Sequence, residues 1–151
     1  MIKTILMPLD GSELSRSVLP VVEELAQKLG ASLVLFHAIN PIVGTFPGTE
    51  MLLTDGRLLE EQKRAAQEFL GRTASEVAAR GIEATSLVTI GSVVDAIVEA
   101  AREQGADMIA MSTHGHAGIG RWMLGSVADA VLRRTHLPCL LLRPEQSRTP
   151  K

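Results

Sequence analysis

Short apolar runs alternate with longer segments of helical periodicity along the whole chain. Five of these runs have the length of buried strands: Ile2 to Pro8, Ala31 to Ala38, Glu83 to Thr89, Asp107 to Ser112 and Pro138 to Arg143. Alternation of apolar strands with helices is typical of βαβ units in a parallel sheet covered on both faces. The pattern therefore predicts an α/β fold with a doubly wound, five-stranded parallel sheet.

The segments between these strands predict four helices. The first begins at Ser12, which acts as N-cap, and runs to about Leu29 before Gly30, with a kink or a frayed turn at Pro20. The others run from about Arg57 to Arg80, from Gly91-Ser92 to Arg102 and from Ser126 to Arg134. The segment from Asn40 to Asp55 has no clear period and is expected to be a loop.

The composition of two strands predicts where each lies in the sheet. Glu83 to Thr89 alternates imperfectly and is expected at an edge, exposed on one side. Asp107 to Ser112 is almost continuously apolar, which favours a central position covered on both faces. Right-handed crossovers leave few arrangements for these strands. The commonest one has a ligand crevice at the carboxyl ends of the strands, where the strand order reverses. The loops after the first and fourth strands are the candidates for this crevice.

Length and charge limit the classes of protein. The chain of 151 residues suits one domain, predicted over residues 1–144, followed by a polar tail at residues 145–151. The net charge of -2 argues against nucleic acid or an anionic membrane as a partner. The apolar start is too short for a signal peptide, and no later run has membrane-spanning length, so we expect a cytoplasmic protein. Cys139, in the apolar setting LPCLLL, is expected to be a small buried hydrophobe.

The stretch MSTHGHAGIGRWMLGS, from Met111 to Ser126, concentrates glycines and histidines between a predicted strand and a predicted helix. A metal site would use His114 and His116 with Asp10, but no further acidic or cysteine ligand is spaced nearby. A catalytic site is disfavoured because neither HxGH nor the nucleophile-elbow pattern GxSxG occurs. The phosphate-binding loop motif fails because no Gly-Lys-Ser/Thr follows the glycines. The dinucleotide-binding fingerprint fails because the glycines here have the order G-x-x-G-x-G.

A phosphate cradle fits this stretch better. Glycines at 115, 118 and 120 allow positive φ angles and let successive N–H groups converge on one anion. Gly125-Ser126 then opens a helix whose N–H groups and dipole favour the same anion, with the Ser126 hydroxyl as helix cap or phosphate donor. The alternative is an ordinary strand-to-helix turn in which Ser126 is only a cap. Spacing alone leaves both interpretations open.

These residues resemble the universal stress protein family. Its ATP-binding motif, G-x2-G-x9-G-(S/T), is matched by Ser112-Thr113-His114-Gly115, nine further residues and Gly125-Ser126, except at the first position. The segments ILMPLDGSELS, LVLFHAI, GADMIAMSTHG and LGSVADAVLRRTHLPCLLLR extend the resemblance over nearly the full chain. The resemblance implies a sheet in order 3-2-1-4-5 and a homodimer formed through the last strand, Pro138 to Arg143.

The resemblance also implies the site residues. Asp10 would lie near the ribose of ATP, which would bind with or without Mg²⁺, and the backbone of Ala38 would meet the adenine. Leu9 and His114 are further expected binding residues. The nucleoside end would be lined by Pro8, Met111 and Ser112. The phosphates would be lined by Gly115, His116, Ala117, Gly118, Gly125, Ser126 and Val127.

The departure at Ser112 keeps alternatives open. A serine in place of the motif glycine can crowd the ribose, which bears on affinity more than on fold. The favoured function is a nucleotide-binding stress-response regulator without enzymatic activity. The alternatives are a dimeric interaction module that needs no nucleotide, and a slow ATPase, for which no general base can be named.

Overall fold

The computed structural model describes residues 1–41, 56–113 and 124–144. Within these ranges the chain alternates strands and helices in the predicted manner. The elements are β1 (Thr4–Pro8), α1 (Glu13–Ser17), α2 (Leu19–Leu29), β2 (Ser32–Ile39), α3 (Gly56–Ala79), β3 (Ala84–Ile90), α4 (Val93–Glu103), β4 (Met108–Ser112), α5 (Ser126–Arg134) and β5 (Cys139–Leu142). The predicted loop from Asn40 to Asp55 lies almost wholly outside the described residues, as does the predicted tail.

The strands form one parallel sheet in the order β3-β2-β1-β4-β5. The register places Pro8 of β1 beside Phe36 of β2, and Ser112 of β4 beside Leu142 of β5. The doubly wound, five-stranded sheet and its order are therefore confirmed. The central position predicted for β4 is confirmed as well, because it pairs with both β1 and β5.

Helices cover both faces of the sheet because strand side chains alternate between two apolar clusters. On one face, Ile5 and Leu35 pack with Val22 of α2 and Leu70 of α3. The opposite cluster joins strand residues to α4 and α5, with members that include Leu6, Val34, Phe36, Ile109, Met111, Ile97 and Val131. The two clusters sandwich the sheet and hold its strand ends in fixed positions.

The first predicted helix is two helices, so the prediction of one continuous helix is wrong. Ser12 caps α1 as expected, with its Oγ accepting from Ser15 N at 3.1 Å. α1 ends at Ser17, and α2 begins at Leu19 with Pro20 in its first turn. Proline has no N–H for a helix interior but fits the first turn, where N–H groups lack intrahelical acceptors. The chain therefore begins a new helix at Leu19, which places Pro20 in its first turn.

The two edges of the sheet differ in polarity. β3 lies at one edge, as predicted, and exposes Thr85 and Ser86. β5 lies at the other edge, with every residue of CLLL half-buried. Cys139 is therefore half-buried, and the expectation of a buried cysteine is wrong because the strand outside it is absent from the described sheet. Partial burial still raises the pKa of the Cys139 thiol.

Candidate functional site

The strand order reverses between β1 and β4, and this point organises the candidate site. The chain turns from β1 toward β2 and β3 on one side, then crosses to β4 and β5 on the other. Parallel sheets form ligand crevices outside the carboxyl ends of the strands at such a switch point. The ends of β1 and β4 here are Pro8 and Ser112.

A cavity of about 320 Å³ lies at these strand ends. Its size falls at the lower end of the range usual for small-molecule pockets, roughly 300–1,000 Å³. Nine of the predicted site residues line it: Pro8, Leu9, Asp10, Ala38, Met111, Ser112, Gly125, Ser126 and Val127. The other five, His114, Gly115, His116, Ala117 and Gly118, lie outside the described residues.

Asp10 is held at the cavity by a turn of the backbone that follows β1. Its Oδ1 accepts from Ser12 N at 2.9 Å and from Ser12 Oγ at 2.5 Å. The Ser12 Oγ in turn accepts from Ser15 N, and the Ser15 hydroxyl donates to Ser12 O at 3.0 Å. This side-chain turn, typical of aspartate, fixes the carboxylate of Asp10 at the end of the central strand.

Ala38 presents its backbone groups to the cavity because β1 ends before β2. Ser32 N donates to Lys3 O, and Leu9 N donates to Phe36 O, both at 2.8 Å. Even-numbered residues of β2 therefore direct their backbone groups toward β1, and those of Ala38 point past its end. The carbonyl of Leu9 accepts from His37 Nδ1 at 2.7 Å. The histidine is thus a structural hydrogen-bond donor, as its position at the end of a strand suggests.

The two ends of the glycine-rich stretch meet at the cavity. Gly125 N donates to Thr113 O at 2.7 Å, and Thr113 N donates to Leu142 O at 2.8 Å. The first helical bond of α5 runs from Asp129 N to Gly125 O. The N–H groups of Ser126, Val127 and Ala128 thus belong to the first turn of a helix, where they have no acceptor within the helix itself, and all three residues line the cavity.

The helix cap differs from the expected one. Gly125 is the N-cap of α5 and makes no side-chain cap hydrogen bond, while Ser126 is the first helical residue. The interpretation of Ser126 as an ordinary cap is therefore wrong. Ser126 lines the cavity from the first position of α5.

The described wall of the cavity is mostly apolar and carries no lysine or arginine. Phe36, Ile97 and Met111 supply apolar surface from β2, α4 and β4. No group of three or more histidine, cysteine, aspartate or glutamate side chains within the described ranges is placed to hold a metal ion. Likewise, none of the helices described above has both the length and the apolarity that crossing a membrane requires.

The family model for the universal stress protein family matches residues 1–143. The chain belongs to this family. A universal stress protein of Thermus aquaticus is 32% identical over 145 residues, which cover 95% of this chain and 100% of that protein. The resemblance inferred from the motifs is thereby confirmed.

Solved structures of the family share the fold. MJ0577 of Methanocaldococcus jannaschii superposes with a TM-score of 0.82 at 24% identity, over 97% of this chain and 99% of that one. A universal stress protein solved with cAMP gives a TM-score of 0.64 at 23% identity, covering 95% and 98% of the two chains. A universal stress protein of Archaeoglobus fulgidus solved with dAMP gives a TM-score of 0.61 at 20% identity, covering 93% of this chain and 97% of that one.

Sequence reasoning missed several residues of the cavity wall. They come from the neighbours of predicted residues or from helices that return to the strand ends: Ser15, Phe36, His37, Val93, Ile97, Thr113 and Ala128. A signal existed for Val93 and Ile97, which lie one turn apart on the apolar face of α4. The right-handed crossover after β3 brings the first turn of that helix to the carboxyl edge.

Proposed function

We propose that this chain binds ATP, with or without Mg²⁺, in the cavity at the ends of β1 and β4, and acts as a homodimeric stress-response regulator. The observation that carries the proposal is the convergence of Asp10, the Ala38 backbone and the first turn of α5 on one cavity. The cAMP and dAMP complexes of proteins with this fold support the choice of an adenine nucleotide as ligand.

The adenine would occupy the apolar end of the cavity. Phe36, Ile97 and Met111 offer the apolar surface that a heterocycle needs. The N–H and C=O of Ala38 point toward the gap beyond β1, which gives one donor and one acceptor side by side. Adenine presents the complementary pair at its N1 and N6 atoms. Guanine bound in the same orientation would set its N1–H against the N–H of Ala38 and its O6 against the C=O, so this backbone pair disfavours guanine in the place of adenine.

The ribose and the phosphates would lie on either side of the switch point. The Asp10 carboxylate can accept from ribose hydroxyls, whereas beside a triphosphate it would need an intervening cation. The N–H groups of Ser126, Val127 and Ala128 and the dipole of α5 favour an anion at the helix start. His114, Gly115, His116, Ala117 and Gly118 are proposed to complete this phosphate end.

The homodimer would form through β5, whose outer edge is apolar and unpaired within the described sheet. On the inner side, the carbonyl of Pro138 accepts from Ile109 N of β4, and the carbonyl of Leu142 accepts from Thr113 N, directly after β4. Since backbone groups alternate in direction along a strand, those of Cys139 and Leu141 point outward. An exposed edge of this kind is a template for pairing with a second copy.

Binding is proposed as the activity, and hydrolysis of ATP is not part of it. Titration calorimetry with ATP, in the presence and absence of Mg²⁺, is expected to show saturable binding. Asp10→Ala is expected to weaken that binding about 10–100-fold, because hydrogen bonds to charged groups contribute roughly 1.5–3 kcal/mol. Asp10→Asn is expected to weaken binding less, because its amide oxygen can still accept from Ser12 and keep the turn.

Glu68→Ala provides the control for this titration, because Glu68 is exposed on α3 and contributes nothing to the cavity wall. Its affinity for ATP should equal that of the parent chain. A flat titration of folded parent protein would contradict the proposal and favour a dimeric interaction module that needs no nucleotide. Phosphate release that depends on Asp10 and Ser126 would contradict the exclusion of hydrolysis.

A further inference from the structure

The hydrogen bond between His37 and Leu9 lies where the ladder between β1 and β2 stops. Donors of β2 reach acceptors of β1 that lie 29 positions earlier, as Ser32 N and Lys3 O do. If the ladder continued with the same offset, its next bond would run from Ala38 N to Leu9 O. The imidazole Nδ1 of His37 donates to this carbonyl instead, at 2.7 Å.

Since Leu9 O is a carbonyl oxygen and can only accept, Nδ1 of His37 carries the proton. The side chain of His37 therefore donates to the oxygen that lies next in the ladder for the N–H of Ala38. Both Leu9 and Ala38 line the cavity, and Leu9 directly precedes Asp10. The side chain of His37 thus contacts the chain at the point where the pairing of β1 with β2 stops and the cavity begins.

We propose that His37 is a positioning residue that holds the N–H of Ala38 available for the base of the ligand. This inference rests on the proposed function, in which the ligand is an adenine nucleotide. With Leu9 O held by the imidazole, the ladder stops one bond short, because no bond from Ala38 N to Leu9 O is formed among the described residues. The Ala38 N–H then donates to N1 of adenine without first breaking a bond within the protein.

The test pairs variants of His37 with two ligands, ATP and 1-deaza-ATP, which lacks the N1 acceptor. The parent chain is expected to bind ATP about tenfold more tightly than 1-deaza-ATP, the size of one net hydrogen bond. In His37→Leu, Ala38 N can pair with Leu9 O, so the affinity for ATP should fall about tenfold. The affinity of this variant for 1-deaza-ATP should stay within about twofold, so the preference disappears.

His37→Asn is the conservative variant, because its amide nitrogen can occupy the place of Nδ1 and donate to Leu9 O. It should restore most of the preference for ATP. Circular dichroism and thermal unfolding identify any variant that does not fold, and the Asn variant then supplies the comparison. Equal losses of affinity for both ligands in His37→Leu would overturn the inference about His37. The proposal that the chain binds ATP would still stand. Failure of the parent to bind ATP would overturn the proposed function and this inference with it.

Discussion

The hydroxyl oxygen of Thr89 is buried, although this residue lies on the edge strand β3, where it pairs with Ala38 in register. Within the described part of the chain its Oγ1 makes no hydrogen bond. A hydroxyl that loses its water without gaining a partner destabilises the folded state by roughly 1–3 kcal/mol. The sequence predicted Thr89 as the last residue of a strand. It could not predict the missing partner, which depends on what α4 packs above that position.

Thr89→Val is expected to raise the free energy of unfolding by about 1 kcal/mol, because valine has the same shape without the hydroxyl. Urea denaturation measures the change. Thr85→Val on the same strand is the matched control, because Thr85 is exposed and reports only the strand propensity of valine. An equal gain in both variants would show that the buried hydroxyl has no special cost.

Single residues also show where motif spacing stops being informative. The pattern placed Gly125 and Ser126 at the start of a helix, which is correct. It could not decide which of the two is the cap, because helix boundaries shift by one residue at almost no change in sequence pattern. The role of Ser12 as a cap was predicted correctly, and its hydroxyl accepts from the amide of Ser15.

At the scale of elements, β1 begins two residues later than the apolar pattern indicates. The amides of Lys3 and Thr4 donate to Oδ2 of Asp107 at 2.9 and 3.0 Å. This carboxylate joins the start of β1 to the start of β4, its partner across the switch point. The two backbone hydrogen bonds hold the pKa of Asp107 below its ordinary value of 3.8. Tertiary contacts of this kind carry no periodicity and escape sequence patterns.

Asp107→Asn is expected to lower the free energy of unfolding near neutral pH. Because the folded state depresses the pKa of Asp107, its stabilising effect is complete above pH 3.8 and declines as the pH falls through the lower, folded-state value. The difference between parent and variant should therefore shrink below about pH 4. Denaturation at several pH values measures it, with Glu68→Gln as an exposed control. A difference that stays constant down to pH 2 would contradict the assignment.

The break between α1 and α2 shows the same limit for helices. Apolar spacing and Pro20 together indicated one disturbed helix, and the structure has two. The apolar spacing around Pro20 does not distinguish a proline inside one kinked helix from a proline in the first turn of a second helix. Packing of Val18 and Leu19 into the core then favours the restart, because it buries both side chains.

At the scale of the whole molecule, topology was the most predictable property. Five apolar strands joined by helices leave few arrangements once crossovers are right-handed, and the family resemblance selected one of them. The switch point then followed, and with it the place of Asp10 and Ser112. On the opposite wall, the apolar face of α4 was a sequence signal for Ile97, but its contact with the cavity followed only from the packing of α4 on the sheet.

Leu141→Pro tests the proposed homodimer at this scale. Proline removes the outward N–H of Leu141 but none of the bonds that β5 makes with β4, so each chain should still fold. Light scattering or sedimentation is expected to show the parent as a dimer and the variant as a monomer of 16.2 kDa. Leu141→Val keeps the N–H and should remain dimeric. A folded Leu141→Pro variant that is still dimeric would place the interface elsewhere.

The proposed pairing through β5 would also limit how far association can continue. A two-fold pairing of β5 with β5 would use the apolar edge of each copy and join two five-stranded sheets into one of ten strands. Both outer edges of that sheet would then be β3 strands with Thr85 and Ser86 exposed. A two-fold interface uses the same strand of each copy and therefore leaves no β5 edge for a third. The assembly would close at two copies through this symmetry and would not grow into a filament through β5.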